Sequence, residues 1–549
     1  MANQQLHNDT AIPDEIITYY FGSTSFYNHK PDDVQKIQTH ASYVFIAPPW
    51  VYKIKKPVDF GFLDYSTLTK RRYYCFREVE LNSRLCADIY EGVVPIIRDD
   101  NKLRTGDILT DENADDHADE YAVKMRYMPE ENFLKQKIHD NSNTVTTDEI
   151  DRISATLKDF YLRQKPDDSV SRWGEIDRIK INTDENFEQT NSFIGHLIPS
   201  FLHKVIQEFT DRYFKRNKSL FEKRIANGRI VDGHGDLHLE HIHITDEKVC
   251  IYDCIEFNDR LRYQDLANDL AFLAMDLDFH GRPQLEYRLI SNMARYLEDD
   301  ELFRLMDFYK CYRAFVRAKV TGIQLQDADF PDTERTNHEA EARQYFNLAG
   351  RYAVLGSRPV AIIIMGRIGT GKSTVRKRLS RLFGIPDYSS DRIRKLLAGL
   401  PPEQASPQEI HSYLYSQEMS EETYEKLYQK SIEELKHKRP VVMDATFSRR
   451  KKRVDLVKRL EEAGYRYLFI EMKTSDAVIK KRLEYREEAE NIVSDARLEN
   501  FENLDTIYQE PNELSNRQLI EVNTEQHKKE TLSEIVNKIM YLHLDWLEK

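Results

Sequence analysis

Cysteine is scarce in this chain: five residues in 549 (Cys75, Cys86, Cys250, Cys254 and Cys311), an odd number with no C-x-x-C pair. That excludes a disulfide-dense scaffold and a paired-cysteine metal motif, and it predicts reduced thiols in a cytoplasmic protein. Long apolar runs are also missing. No stretch approaches the roughly 18 apolar residues of a bilayer span, and the polar start Met-Ala-Asn-Gln-Gln leads into no apolar signal region, so neither membrane insertion nor secretion is expected. A basic surplus is absent too. Lys and Arg number 80 against 93 Asp and Glu, a net charge of −13, which excludes a surface that attracts nucleic acid throughout and leaves only a local basic groove open.

What is present describes a globular protein. With 40% hydrophobic, 32% charged and 11% aromatic residues, the chain has too many aromatics for disorder and too few apolar residues for a membrane protein. Its length exceeds one hydrophobic core, and at about 150 residues per domain two to four folding units are expected. Internal repeats and low-complexity tracts are absent.

One boundary stands out. A charged helical pattern from Pro331 ends at Leu355-Gly-Ser-Arg-Pro359, and Val360-Ala-Ile-Ile-Ile-Met365 follows as an apolar run of buried parallel-strand type. Beyond it, short apolar runs at Val360–Met365, Val441–Met443 and Tyr467–Glu471 alternate with helical patterns, which predicts an α/β domain with a parallel sheet. Ahead of it, Val44–Ile46 and Val51–Ile54 predict a hairpin around Pro48-Pro49, a helix carries Arg77 to Leu85, and helices dominate from about residue 149. The expected organisation is an α+β, two-lobed domain over 1–345 followed by the α/β domain over 346–549.

Gly366-Arg-Ile-Gly369-Thr-Gly371-Lys372-Ser373-Thr374 fits G-x-x-x-x-G-K-[ST] between a strand and a helix. Glycines let the backbone wrap a polyphosphate, so that amides and the helix N-terminus face negative charge. Lys372 would meet the β- and γ-phosphates of ATP, and the Ser373 hydroxyl would hold Mg²⁺. Downstream, Asp391 stands where a second strand gives way to a helix and is the candidate base for an acceptor hydroxyl, with Arg392 and Arg394 as clamps for an anionic substrate. Asp444 closes the strand Val441-Val-Met, at the edge where it can hold the Mg²⁺ water shell or orient the acceptor. Arg482 and Arg486, four apart on one helical face, are candidates for a lid over the phosphates. The run Ser448-Arg-Arg-Lys-Lys-Arg453 reads as a solvated helix face or as a patch that draws in a nucleic-acid acceptor.

These residues resemble the small P-loop kinases related to zeta toxins and polynucleotide kinases, a group placed with AAA-type ATPases. The resemblance covers about 357–549. It implies transfer of the ATP γ-phosphoryl group to a hydroxyl and leaves the acceptor open.

The front half has its own constellation. Val231-Asp-Gly-His234-Gly-Asp236-Leu-His238-Leu-Glu-His241 precedes Asp253-Cys-Ile-Glu256, two acids seventeen residues apart that suit separate base and metal roles in phosphoryl transfer. The dense histidines, with His243, also raise a zinc site. The pattern resembles aminoglycoside phosphotransferase-like kinases, a branch of the protein-kinase-like fold, over about 30–320. The resemblance implies Asp236 as base, Asp253 as metal ligand, Lys53 or Lys55 as phosphate-binding lysine and Glu78 as its helix partner. Two departures follow. His241 stands where the family pattern has a metal-binding asparagine, and imidazole suits Mg²⁺ poorly. No glycine occurs between Gly22 and Gly61, which excludes a G-x-G-x-x-G cover. Together the halves resemble bacterial two-domain proteins and imply a bifunctional ATP- and Mg²⁺-dependent transferase for a small-molecule hydroxyl, with nucleic acid the lesser alternative, no membrane partner and no assigned oligomeric state.

Overall fold

The computed structural model describes residues 12–99, 102–112, 117–140, 145–165, 167–326, 331–403, 406–488 and 508–547. The chain divides into two compact units: Met1–Ile179 with Ser219–His280 and Arg288–Asp300, and Lys180–Lys218 with Gly281–Tyr287 and Glu301–Lys549. The units interleave along the sequence.

The first unit is built on an antiparallel sheet of six strands: β1 (Gln35–Gln38), β2 (Ser42–Ala47), β3 (Trp50–Lys55), β4 (Tyr90–Asp99), β5 (Lys102–Thr105) and β6 (Glu120–Arg126), in the order β1-β2-β3-β6-β4-β5. The expected hairpin is β2–β3, with Ala47 opposite Trp50 across the Pro48-Pro49 turn. Alternation along β2 and β3 puts Phe45, Tyr52 and Ile54 into an apolar cluster with Phe21 and Tyr27. The helix Leu68–Cys86 crosses the other face and carries Glu78, Asn82 and Cys86. Short strands β7 (Ile230–Asp232), β8 (Ile242–Ile244), β9 (Val249–Ile251) and β10 (Tyr263–Asp265) form two small antiparallel pairs, β7 with β10 and β8 with β9.

Ion pairs fix the core of this unit. Arg224 is buried between Asp265, which it meets through two hydrogen bonds of 2.8 and 2.9 Å, and Asp299. Removing one member of such a set strands a buried charge, at a cost of about 3–5 kcal/mol.

The expectation of five reduced thiols is corrected here. Cys86 and Cys250 form a disulfide, while Cys75, Cys254 and Cys311 are free and buried. Cysteine spacing carried no sign of this pair, because 164 positions of chain separate two residues whose Cα atoms lie 4.9 Å apart.

The second unit holds a parallel sheet of five strands, β11 (Val360–Met365), β12 (Asp387–Ser389), β13 (Val441–Asp444), β14 (Arg466–Lys473) and β15 (Leu519–Asn523), in the order β12-β13-β11-β14-β15. This is the α/β fold expected of the back half. β11 is buried along its whole length because it is the central strand and has helices on both faces. Leu427, Tyr428, Leu456 and Phe447 pack with its Ala361, Ile363 and Met365. The helical pattern expected ahead of β11 is one helix, Asp332–Leu355, packed against Leu302–Gln324, Ser200–Arg216 and Lys528–Leu547. Beneath it, His543 is buried with one ring nitrogen 2.9 Å from the Ala353 carbonyl and the other 3.0 Å from Asp307. No helix among the described residues is long and apolar enough to cross a membrane.

The disulfide gives the fold a direct test. Thiol titration of the denatured chain should find three reactive thiols without reductant and five after reduction; five without reductant would contradict the bond.

Candidate functional sites

In the front unit, β3 delivers Lys53 and Lys55 to one face of the sheet. Lys53 Nζ lies 2.7 Å from Asp253 Oδ1 and 2.9 Å from Glu78 Oε1, and its side chain is 17% exposed. Lys55, 1% exposed, donates to Glu78 Oε2 at 2.7 Å, to Tyr65 at 3.3 Å and to Glu256. Both lysines therefore meet the helix glutamate, but only Lys53 combines that contact with Asp253 and an opening to solvent. Burial alone would strip the proton from Lys53; the carboxylates of Asp253 and Glu78 reverse that and hold it firmly charged. Glu78 is kept ionised in turn, as Lys53 and Lys55 outweigh its own burial.

Asp253 has φ +61, left-handed backbone for a non-glycine residue, and such strain persists where surrounding contacts fix it. Desolvation works to raise its pKa, yet Lys53 and His241 drive it well below the usual carboxylate range. Across from it lies the loop His234–His241. Its main chain is held by Asp269, which is buried and accepts from the amides of His234 at 2.8 Å and Gly235 at 2.9 Å, from Gln264 at 3.0 Å and from Tyr161 at 2.9 Å. Asp276 accepts from the Leu239 amide. Thus the segment around Gln264 to Asp269 anchors the loop that presents Asp236.

The Asp236 carboxylate lies 3.4 Å from His238 Nε2 and 3.6 Å from His241 Nδ1. His241 also reaches Asp253, with Nε2 3.4 Å from Oδ2. Asp236, His238 and His241 each offer one potential ligand atom within 4.8 Å of the others. The other two histidines are structural: His234 meets the Tyr252 carbonyl at 2.8 Å, with burial lowering its pKa to about 4, and His243 meets the Pro129 carbonyl.

In the second unit, the loop after β11 has left-handed backbone at Gly366, Gly369 and Gly371. A Cβ at Gly366 would meet the Met472 carbonyl at 2.6 Å, so only glycine fits. Lys372 Nζ donates to the carbonyls of Gly366 at 2.9 Å and Arg367 at 2.8 Å, curling over the loop. Ser373 and Thr374 are exposed in the first turn of the helix Lys372–Phe383. The adjacent parallel strands β11, β13 and β12 bring this loop, Asp444 and the start of the helix carrying Asp391 to the same edge of the sheet.

Asp444 is buried. Its Oδ2 sits 3.3 Å from Arg376 Nε without an aligned hydrogen bond among the described residues, which leaves an acceptor open to an ion or its water shell. Asp391 lies 3.7 Å from Arg394, whose guanidinium covers the Tyr415 ring, whereas Arg392 pairs with Glu403. Arg482 donates to the Gly369 carbonyl and to Thr524, so it touches the phosphate loop itself. The side chain of Arg486 lies outside the described residues. The basic run divides: Arg453 is fully buried against Glu513 and the Phe447 carbonyl, Lys452 lies over the Tyr424 ring, and Arg449, Arg450 and Lys451 face solvent.

Two participants escaped the sequence reading. Arg376 contacts both Asp387 and Asp444, and its signal was a cation on the sheet-facing stripe Val375, Arg376, Leu379, Phe383. Tyr65 hydrogen-bonds Glu256 beneath Lys55, with no signal in local pattern.

This loop-and-sheet arrangement is that of a P-loop nucleotide-binding domain, and residues 362–511 match the family model described as an AAA domain. The chain belongs to the family of the uncharacterised protein Rv2004c of Mycobacterium tuberculosis H37Rv, with which it shares 30% identity over 412 residues, 75% of this chain and 78% of that one. Among solved structures, a gluconokinase from Sinorhizobium meliloti 1021 is similar over 34% of this chain and 95% of its own, at 20% identity and TM-score 0.26. A shikimate kinase from Aquifex aeolicus is similar over 34% and 98%, at 20% identity and TM-score 0.24.

The two lysines make a distinguishing prediction. Lys55→Met leaves Glu78 and Glu256 without their shared buried cation and should lower unfolding stability by about 3–5 kcal/mol, whereas Lys53→Met, nearer solvent, should cost clearly less. Denaturant unfolding of both variants checks this, and equal losses would contradict the assignment.

Proposed function

We propose that the protein is an ATP- and Mg²⁺-dependent phosphotransferase acting on hydroxyl groups of small molecules, with a protein-kinase-like domain in its front half and a P-loop kinase domain in its back half. The observation that carries this reading is the phosphate loop on the central strand of a parallel sheet, with one acid on each of the next two elements along the same edge. A motor ATPase needs a loop and a metal acid; an acceptor base such as Asp391 belongs to transfer onto a hydroxyl.

In the P-loop domain, the loop amides and Lys372 bind the β- and γ-phosphates and orient the terminal phosphorus toward the acceptor. Ser373 Oγ and the open Asp444 Oδ2 are the groups that would hold Mg²⁺, which when bound supplies charge neutralisation across the phosphate oxygens. Asp391 takes the proton from the acceptor hydroxyl. That oxygen forms a bond to the γ-phosphorus as the bond to the β–γ bridging oxygen breaks, leaving ADP. Arg482, already against the loop, is poised to share the negative charge that develops. In the front domain, Asp236 takes the base role and Lys53, held by Glu78, the phosphate role. The donor set there includes imidazole and does not match Mg²⁺, so no step is assigned to that ion at the front site.

The nucleic-acid alternative loses ground on one point. Arg453 of the basic run is buried in an ion pair with Glu513, which removes one of its five cations from any phosphate-binding patch.

A metabolite extract incubated with ATP, Mg²⁺ and the full chain, followed by mass spectrometry, tests the reading. A product heavier by one phosphoryl group should form. Lys372→Ala should reduce it at least about 100-fold if it arises in the P-loop domain, and Asp236→Ala by about 10²–10⁴-fold if it arises in the front domain. ATP hydrolysis with no phosphorylated product in any extract would overturn the transferase in favour of an ATP-driven switch.

A further inference from the structure

Among the described residues, five non-glycine positions have left-handed backbone: Lys30, Asp253, Glu298, Lys438 and Phe447. Phe447 alone among them is fully buried. Its φ of +47 is a conformation that a bulky side chain avoids, and it persists only where neighbours fix it. Here they do so from both sides. The Phe447 amide donates to Tyr424 Oη at 3.1 Å, and its carbonyl accepts from Arg453 Nη1 at 2.7 Å, a guanidinium itself buried against Glu513. The residue so braced is Thr446, the first exposed position beyond the buried Asp444 on this edge of the sheet. Its carbonyl accepts from the Gly366 amide at 3.3 Å, at the entry to the phosphate loop.

The hydroxyl of Thr446 is oriented as well. Tyr424 Oη is buried, takes the Phe447 amide proton, and lies 3.5 Å from Thr446 Oγ1. A buried phenol has to place its own proton, and Thr446 Oγ1 accepts it. Thr446 then keeps its hydroxyl proton for a partner on its exposed side. The place of that partner follows from Lys372, whose ammonium rests 2.9 Å from the carbonyl of the same Gly366. The lysine of such a loop reaches the β- and γ-phosphates, while the helix N-terminus holds the inner ones. Gly366 therefore marks the outer end of the polyphosphate, and a fixed hydroxyl donor stands beside it. We propose that Thr446 contacts the terminal phosphoryl group of the nucleotide in the P-loop site, donating Oγ–H to one of its oxygens, and so gives this site a preference for triphosphate over diphosphate. The inference rests on reading the loop as a nucleotide site and adds the residue that tells ATP from ADP.

Calorimetric titration of the full-length chain with Mg²⁺ and either a non-hydrolysable ATP analogue or ADP tests this, following the binding step that Lys372→Ala abolishes. Thr446→Val, close in shape and lacking the hydroxyl, should weaken the triphosphate at least about 10-fold and leave ADP within about twofold of the wild type. Thr446→Ser should keep the wild-type ratio of the two affinities. The thermal transition of each variant is followed too, because a merely structural loss lowers it or weakens both ligands together. Triphosphate affinity unchanged in Thr446→Val, equal weakening of both ligands, or Thr446→Ser behaving like Thr446→Val overturns the contact and leaves the nucleotide site standing. No Lys372-dependent step with either ligand overturns the nucleotide site, and the contact with it.

Discussion

Glu78, 1% exposed, is compensated by two lysines that β3 presents on one face, Lys53 at Oε1 and Lys55 at Oε2. That constraint sets the architecture of the front unit. It ties the helix Leu68–Cys86 to β3, and through Glu256 and Asp253 it draws in the segment after β9. The Cys86–Cys250 disulfide joins the same helix to β9 itself. Stranding Glu78 and Glu256 by loss of the fully buried Lys55 costs several kcal/mol, and Asp253 keeps its left-handed backbone within the same charged network.

On the proposed reading the two units would hold a dense anion by different physical means. In the second the main chain would do it: glycines at positive φ shape the loop, and the helix from Lys372 adds its N-terminal field. Lys372 rests on the loop's own carbonyls and has only a short path to a phosphate. In the first, side chains carry the charge, and Asp269 pins the backbone so that Asp236, His238 and His241 converge. Oxygen chemistry dominates one site and mixed nitrogen and oxygen chemistry the other.

Local pattern made much of this legible. Val360–Met365 is a strand because an unbroken apolar run rich in β-branched residues before a glycine loop has few other homes, and the β2–β3 hairpin followed from alternation around Pro48-Pro49. The phosphate loop was singled out by its motif, and Asp236, Asp253, Glu78 and the pair Lys53 and Lys55 by the family resemblance of short segments; the structure brings Lys53, Glu78 and Asp253 into contact. What stayed hidden depends on distant chain. The interleaving of the two units, the disulfide, the burial of Arg453 against Glu513 and the contact of Arg482 with Gly369 all join residues far apart in sequence. Charge runs misled for the same reason: a cation destined for the core reads like one bound for solvent until its partner is known.

The central claim is that one chain holds two nucleotide sites, and calorimetric titration with a non-hydrolysable ATP analogue, with Mg²⁺ and Mn²⁺ both present, measures it most directly. The account requires two equivalents per chain, with Lys372→Ala removing one and Lys53→Ala the other. A single equivalent in the wild type, or both retained after Lys372→Ala, would contradict it.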